Sequence, residues 1–406
     1  MAAYLPRTIE PVLRKTAREF PAVVLTGPRQ SGKTTLLRHV FGKRLGYVSL
    51  EPPDVRAAAV ADPRGFLDMW RPPVILDEIQ YAPDLLPYIK ERIDAKRSLK
   101  GQYLLSGSQN LLLMQQVAES LAGRAAVLHL LPLSHRELAG QPAALPPWER
   151  KARPRAAAKG RSDAFWAWAL RGGFPELATE RRRDIALWYG SYIQTYLERD
   201  VRSLRQVGDL TQFQVFLRAL AARSAQLINV TEMGRDLGLA TNTVKAWISV
   251  LEATHQILIL RPYHANVGKR LVKTPKIYFT DTGMLCYLAG IRDPSHAAAG
   301  PMAGAIAETA VAIEVLKSFL HRGAEPRMYF WRTSTGDEVD LLIETQAGLL
   351  PLEIKTTATP SPAMARGIFR FRESVRAARA DGFVVHTGDI TLPLGGGVVA
   401  LPFADL

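Results

Sequence analysis

The residues with the most chemistry to offer stand early in the chain: Gly27-Pro28-Arg29-Gln30-Ser31-Gly32-Lys33-Thr34, followed by Thr35. Their spacing is G-x-x-x-x-G-K-[ST], with an apolar run at 22–26 before it and a stretch of helical period at 34–40 after it. Glycines let the backbone curl so that its N–H groups face one point. The N-terminus of the following helix aims its positive dipole end at the same point. Such a turn cradles a triphosphate. Lys33 would reach the β- and γ-phosphates and Thr34 would ligate Mg²⁺ through its hydroxyl, so ATP and Mg²⁺ are the expected ligands.

Two acids complete that chemistry. Val74-Ile75-Leu76-Asp77-Glu78 is an apolar strand ending in carboxylates. Asp77 belongs in the Mg²⁺ shell, and Glu78 would orient and deprotonate the attacking water. Surface acids placed by chance are the competing reading. A later strand ends Leu104-Leu105-Ser106-Gly107-Ser108-Gln109. A polar side chain there would sit near the γ-phosphate; Ser108 or Gln109 is the candidate sensor, and Ser106 reads as a turn residue.

A second group of acids comes late. The run Gly336-Asp337-Glu338-Val339-Asp340-Leu341-Leu342-Ile343-Glu344 meets a turn near Gln346-Ala347-Gly348, then Leu349-Leu350-Pro351-Leu352-Glu353-Ile354-Lys355. A hairpin centred between Gln346 and Ala347 places Asp340 opposite Glu353, about 5 Å away. The period of two puts Lys355 on that face as well. Carboxylates that close repel unless a cation sits between them, and Mg²⁺ suits oxygen ligands. The same register also permits an ordinary cross-strand ion pair between Glu338 and Lys355.

A third group suits phosphates and bases. Residues 226–251 have helix-turn-helix spacing, with Thr231 and Thr241 as N-caps and Gly238 in the turn. Val244, Ile248 and Leu251 would face inward; Asn242, Lys245, Ala246 and Ser249 would face outward, as for entry into a major groove. Strands at Ile257–Leu260 and Lys276–Phe279 would flank a basic wing bearing Lys269, Arg270, Lys273 and Lys276. A winged helix used only for protein packing is the alternative.

The elements that position these groups divide the chain. Apolar strands at 22–26, 74–76, 103–105 and 126–130 alternate with helical stretches at 34–40, 85–95 and 111–121, which predicts a parallel sheet covered on both faces. Residues 141–162, rich in Pro, Ala, Lys and Arg, read as an exposed linker. Residues 163–204 return to helix, with Trp166, Trp168, Trp188 and Tyr189 supplying apolar surface. A helix at 303–319 precedes further strands. The expected units are 1–140, the linker 141–162, a helical lid 163–225, a winged helix-turn-helix 226–293, and an α/β domain 294–406.

Bulk properties agree. A chain of 406 residues is too long for one core, and 47% hydrophobic content is that of globular protein. The formal net charge of +14 favours an anionic partner, most often nucleic acid, although an Arg-rich genome would give the same excess. Cys286 is the sole cysteine, so no internal disulfide or Cys-based metal cluster forms; a reducing, cytoplasmic setting is expected. Charges interrupt residues 1–20, unlike a signal peptide, and no run of about 18 apolar residues suggests a membrane span.

The order of the ATP-site motifs resembles an AAA-superfamily ATPase. That resemblance implies that Arg124, after Ala122-Gly123, is an arginine finger reaching a neighbouring subunit's ATP, and hence a homo-oligomer, a ring such as a hexamer or a filament. A surface Arg balancing a helix dipole is the plain alternative. Pro132-Leu133-Ser134-His135-Arg136-Glu137-Leu138, Gly172-Gly173-Phe174-Pro175-Glu176, and Tyr192-Ile193-Gln194-Thr195-Tyr196-Leu197-Glu198-Arg199-Asp200-Val201 are similar to signatures of a bacterial and archaeal family that joins an AAA-type ATPase to a C-terminal domain of unknown function. Arg199 would then be a lid sensor or a helical ion-pair partner. Asp340 with Glu353-Ile354-Lys355 resembles the D…(D/E)-x-K pattern of restriction-endonuclease-like folds. There Asp340, Glu353 and Glu308 would bind metal while Lys355 positions water. The implied activity is ATP-driven remodelling of duplex or branched DNA. The alternatives are an ATP-regulated switch for protein partners and an ATP-gated, Mg²⁺-dependent nuclease.

Overall fold

The computed structural model describes residues 4–42, 44–108, 119–150, 161–197, 210–263, 274–333 and 335–406. Gln109, Arg199, Lys269, Arg270 and Lys273, and most of the helix expected at 111–121, lie outside the described residues.

Five strands form the N-terminal sheet: β1 (Ala22–Thr26), β2 (Gly46–Ser49), β3 (Val74–Asp77), β4 (Tyr103–Gly107) and β5 (Ala125–His129). Every pairing is parallel, in the order β2-β3-β4-β1-β5. The alternation of β-strand side chains splits the apolar residues between two faces. Ala22, Val24, Val74, Leu76, Tyr103 and Leu105 pack beneath the helix Leu85–Ala95. Val23, Leu25, Ile75 and Leu104 pack against the helices Glu10–Glu19 and Lys33–Phe41. Each fully buried Leu, Ile or Val removes enough surface from water to contribute about 1.5–3 kcal/mol, so β1 is clamped from both sides. The phosphate turn leaves its C-terminal end. The strand β2 is absent from the sequence reading because Gly46-Tyr47-Val48-Ser49 is too short and mixed to show a period.

Downstream, β6 (Ile257–Leu260) and β7 (Lys276–Phe279) pair antiparallel behind the helices Val230–Leu237 and Thr241–Ala253. A six-stranded mixed sheet follows: β8 (Met328–Arg332), β9 (Glu338–Thr345), β10 (Gly348–Lys355), β11 (Gly382–His386), β12 (Leu392–Gly395) and β13 (Val398–Pro402). Its order is β12-β13-β11-β10-β9-β8. The helix Ala303–Leu320 covers one face and Arg366–Ser374 the other. A single apolar cluster runs from Leu131 through Trp188, Phe216 and Trp247 to Leu406. The helical, helix-turn-helix and C-terminal units are individually small, so sharing one core lets each bury more surface than it could alone.

Several local expectations change. Within the expected linker, Pro146 and Pro147 are buried and Glu149 forms a bidentate pair with Arg322 at 2.6 and 2.7 Å, while Gln141, Ala143, Leu145 and Arg150 are exposed; residues 151–160 lie outside the described residues. Apolar Pro and Trp148 outweigh the polar composition there. Asn229, not Thr231, caps the first helix of the helix-turn-helix, accepting from Thr231 N and Glu232 N. Ala240, with no side-chain cap, precedes the second, so Thr241 is its first residue rather than its cap. Gly238 does occupy the left-handed turn at φ 64°. Among the described residues no helix is long and apolar enough to cross a membrane.

Candidate functional site

The phosphate turn is shaped by close backbone approach. Gly27 has φ 153°, and a Cβ there would stand 2.1 Å from Leu130 O, so no other residue fits. Gly32 at φ 95° turns the chain into the helix Lys33–Phe41. Lys33 is buried, and its Nζ donates to Gly27 O at 3.0 Å and Pro28 O at 2.8 Å, curled within the loop. Pro28 is buried, Arg29 half-buried, and Gln30 and Thr35 exposed; Gln30 also adopts positive φ, 59°. Ser31 is fully buried, yet its Oγ has no hydrogen-bond partner among the described residues. A buried orphan hydroxyl facing an anion-shaped turn fits a bound phosphate.

Thr34 and Asp77 meet as the metal expectation requires. Thr34 Oγ1 donates to Asp77 Oδ2 at 2.8 Å and lies 3.1 Å from Oδ1. Asp77 is 3% exposed. Tyr47 OH donates to it at 2.9 Å, and Ser106 Oγ bonds it too. Burial first, then the Asp77 charge, pushes the Tyr47 phenol up to about 12. These donors hold the carboxylate in place while leaving it without a cationic partner among the described residues. The hydroxyl and carboxylate together are a hard-oxygen pair suited to Mg²⁺.

Glu78 begins the turn after β3 in a left-handed conformation, φ 55°, unusual for a residue with a side chain and frequent at functional sites. Ser108 Oγ donates to Glu78 Oε2 at 3.3 Å. Ser108 thus reaches the residue expected to act on water, as a sensor at the tip of β4 should. Gln80 was not singled out in the sequence; its amide bonds Glu78 and also reaches Ser108 Oγ at 3.3 Å. Ser106 is more than a turn residue, because it holds both Asp77 and the Glu78 N–H.

Two imidazoles close the other side. His129 ends β5 in register with Thr26, the residue before the turn. His255, from the strand-side of the helix-turn-helix, stacks edge-on to it with ring centroids 5.2 Å apart. Burial, then His129, then Lys33 pushes His255 down to about 3. No sequence spacing links these residues; only the fold brings them together.

Arg124 lies elsewhere. Its backbone O accepts from Ala22 N at 3.2 Å, level with the start of β1, whereas the phosphate turn follows the end of β1. Five residues of strand span about 16 Å, so Arg124 cannot serve its own chain's loop. Its guanidinium grips Asp94 bidentately at 2.6 and 2.9 Å.

In the C-terminal sheet, β9 and β10 pair as the hairpin predicts, with Leu341 opposite Leu352 and Leu342 opposite Pro351. One step further the ladder stops, and Asp340 Oδ2 instead accepts the Ile354 N–H at 2.8 Å. Glu353 binds Lys355 Nζ at 2.6 Å, so the Glu338–Lys355 pair gives way to this one. Lys276 is the larger correction. It is not on a basic wing surface but 4% exposed in β7, with its Nζ 2.8 Å from Glu308 and 2.6 Å from Glu338. Tyr278, two residues on, donates to Glu308 at 2.7 Å. Burial followed by the Asp340 charge pushes Glu308 up to about 7 and Glu353 up to about 8. Among the described residues no three acid, His or Cys side chains converge as metal ligands. In this arrangement Lys276 lies against Glu308 and Glu338, and Lys355 against Glu353.

On the helix Thr241–Ala253, Asn242, Lys245 and Ser249 are exposed and Val244, Ile248 and Leu251 buried, as the periodicity requires, with Ala246 half-buried. Trp247 adds an anchor, packing edge-on against Phe213 and Phe216.

Three stretches of the chain match known domain families. The family description "AAA domain" matches residues 19–139, and two domains of unknown function, DUF8612 and DUF4143, match 162–295 and 303–406. A Walker-type ATPase of Pyrococcus abyssi is similar at 16% identity and TM-score 0.46, over 70% of this chain and 96% of that one. The uncharacterized proteins Rv2008c of Mycobacterium tuberculosis and Mb2031c of Mycobacterium bovis are each 34% identical over 395 residues, spanning 96% of this chain and 82% of each relative. The chain belongs to the family of these mycobacterial proteins and is a P-loop ATPase of the AAA type carrying two C-terminal domains of unknown function.

Proposed function

We propose that the chain couples ATP hydrolysis to the binding and remodelling of duplex or branched DNA. The observation that carries this reading is the outer face of the helix Thr241–Ala253. Asn242, Lys245 and Ser249 are exposed there on a helix anchored by Val244, Trp247, Ile248 and Leu251. The net charge of +14 supports an anionic partner. At the ATP site, the residues divide the work. The amides of the turn and Lys33 would hold the phosphates, Thr34 and Asp77 would hold the metal, and Glu78, oriented by Ser108 and Gln80, would take the proton of the attacking water. Mg²⁺ held there would supply charge neutralisation for the triphosphate.

Arg124 can act only on a neighbour's nucleotide, which makes a homo-oligomer part of this reading. Mixing Arg124→Ala subunits with Lys33→Ala subunits should restore turnover that neither has alone. Equal rates in mixed and unmixed samples would remove the trans finger. The main test is the ATPase rate with duplex, single-stranded and branched DNA. A severalfold stimulation, weakened in Lys245→Ala and by salt, is expected. A rate indifferent to all three DNAs would overturn the proposal.

One observation favours a second reading, an ATP-regulated switch for protein partners. Leu131 of the ATPase unit joins the apolar cluster that the C-terminal units share, and the helix Ala303–Leu320 bonds the same segment through Lys317 to Leu133 O and Glu314 to the His135 N–H. An ATP-gated nuclease has less support, because Lys276, which lies outside its expected residues, sits against Glu308 and Glu338. Mg²⁺-dependent DNA cleavage that disappears in Asp340→Ala would restore it.

A further inference from the structure

The segment 132–138 has no part in phosphate chemistry, yet it contains a fully buried acid. Glu137 closes a capping box with Ser134, accepting from Ser134 N at 2.8 Å. The same carboxylate meets two distant parts of the chain. Its Oε1 accepts the Thr8 N–H at 2.7 Å and its Oε2 lies 3.2 Å from Arg7 Nε. His321, just past the helix Ala303–Leu320, brings Nδ1 to 3.4 Å from Oε1.

Each partner reaches further. Arg7, 4% exposed, donates from one terminal nitrogen to Ser31 O in the phosphate turn at 3.0 Å and from the other to Leu131 O at 2.7 Å. His321 Nε2 accepts the Leu131 N–H at 3.2 Å, which leaves the ring proton on Nδ1, facing Glu137. Burial lowers the imidazole's affinity for a second proton, opposed by Glu137. On the same helix, Lys317 donates to Leu133 O at 3.0 Å, and Glu314 accepts the His135 N–H at 2.8 Å. A continuous polar path thus runs from Ser31 through Arg7 and Glu137 to His321.

Adhesion alone does not explain such a path. Removing several charges from water is costly, and well-packed apolar side chains of similar volume often hold a joint equally well. The polar groups do fix orientation, and the orientation that matters is that of the Ser31–Gly32 peptide. In a planar trans peptide the C=O and the following N–H point in opposite directions. With Ser31 O held by Arg7, the Gly32 N–H faces away from Arg7, as a phosphate cradle requires. A Cβ on Gly32 would lie 3.6 Å from both Arg7 and Pro175, so the 172–176 signature closes over the same peptide.

We propose that Arg7, Glu137 and His321 are positioning residues through which the C-terminal domain sets the shape of the phosphate turn, making nucleotide affinity dependent on a side chain of that domain. The inference rests on ATP binding at the turn. By linkage the effect is reciprocal, so nucleotide must also alter the helix that carries His321.

The test uses the full chain and a non-hydrolysable ATP analogue with Mg²⁺, measuring affinity by calorimetry beside the nucleotide-free melting temperature. Arg7→Lys keeps the charge but cannot serve Ser31, Leu131 and Glu137 together. It should weaken affinity about tenfold, the effect of one lost charge-assisted hydrogen bond. His321→Ala should do the same, while His321→Gln, which retains an acceptor and a donor, should stay within about twofold of wild type. In wild type, the analogue should slow amide exchange over 314–323, and Arg7→Lys should lose that response. Variants that melt lower but bind as wild type would reduce the path to a structural joint and overturn the inference. So would His321→Gln binding as weakly as His321→Ala. Failure of wild type itself to bind the analogue would instead strike the ATP-site reading.

Discussion

Two groups of acids in this molecule have opposite surroundings. Asp77 is held by hydroxyls from Thr34, Tyr47 and Ser106, with no ammonium or guanidinium at ion-pair distance among the described residues. Glu308, Glu338 and Glu353 are held by Lys276 and Lys355. Hydroxyls orient a carboxylate without cancelling its charge, whereas an ammonium does both. On the function proposed above, the first site would receive a cation from solution, whereas lysines already lie against the acids of the second. Acidic residues at plausible spacing say little about a metal until the neighbouring cations are located.

The largest expected effect lies at the first site. Glu78→Gln keeps the hydrogen bonds to Ser108 and Gln80 within reach but cannot take a proton. Nucleotide binding should persist while turnover falls by about 10²–10⁴, the usual contribution of a general base. Turnover near the wild-type rate would assign the base elsewhere and weaken the contrast with the C-terminal acids.

The second site is sharpened by removing its resident cation. Lys276→Met leaves Glu308 and Glu338 without their ammonium, a loss that costs about 3–5 kcal/mol when one partner of a buried pair is removed. The variant should melt lower than wild type and recover in millimolar Mg²⁺ or Mn²⁺, with no such response in wild type. A melting temperature indifferent to divalent ions in the variant would mean that the acids cannot form a metal site even when freed.

The uneven legibility of the chain follows the same division. Residues 27–34 and 74–78 are contiguous, and each motif sits at one strand end, so local spacing placed Thr34 and Asp77 within contact. The β9–β10 register was equally local, because a tight hairpin fixes its own pairing. Lys276 could not be found that way. It stands 32 residues from Glu308 and 62 from Glu338 in sequence, and reaches them only because β7 packs under the helix Ala303–Leu320. Arg7 and His321 are hidden for the same reason. The helix caps failed differently: Asn229 and Thr231 both have capping chemistry, and two residues of slip decide between them.

The smallest effect concerns protons. Glu308 and Glu353 are acids whose folded-state pKa values, about 7 and about 8, stand above the ordinary carboxylate value near 4.5. Between those limits the folded chain binds protons that the unfolded chain releases, so this pair makes stability fall as pH rises from about 5 to 8. Burial is the first cause and the Asp340 charge the second. Asp340→Asn removes the second while its side-chain oxygen can still accept the Ile354 N–H. The variant should therefore lose less stability than wild type across that window. Comparing the two proteins at pH 5.5 and 8 cancels contributions from His321 and other groups common to both. The expected gain at pH 8 is about 2–4 °C in melting temperature, the shift produced by roughly 1 kcal/mol in a domain of 150–250 residues. Parallel pH profiles would mean that Lys276 and Lys355 already neutralise Asp340 fully, and the contrast between the two acid sites would then be complete rather than partial.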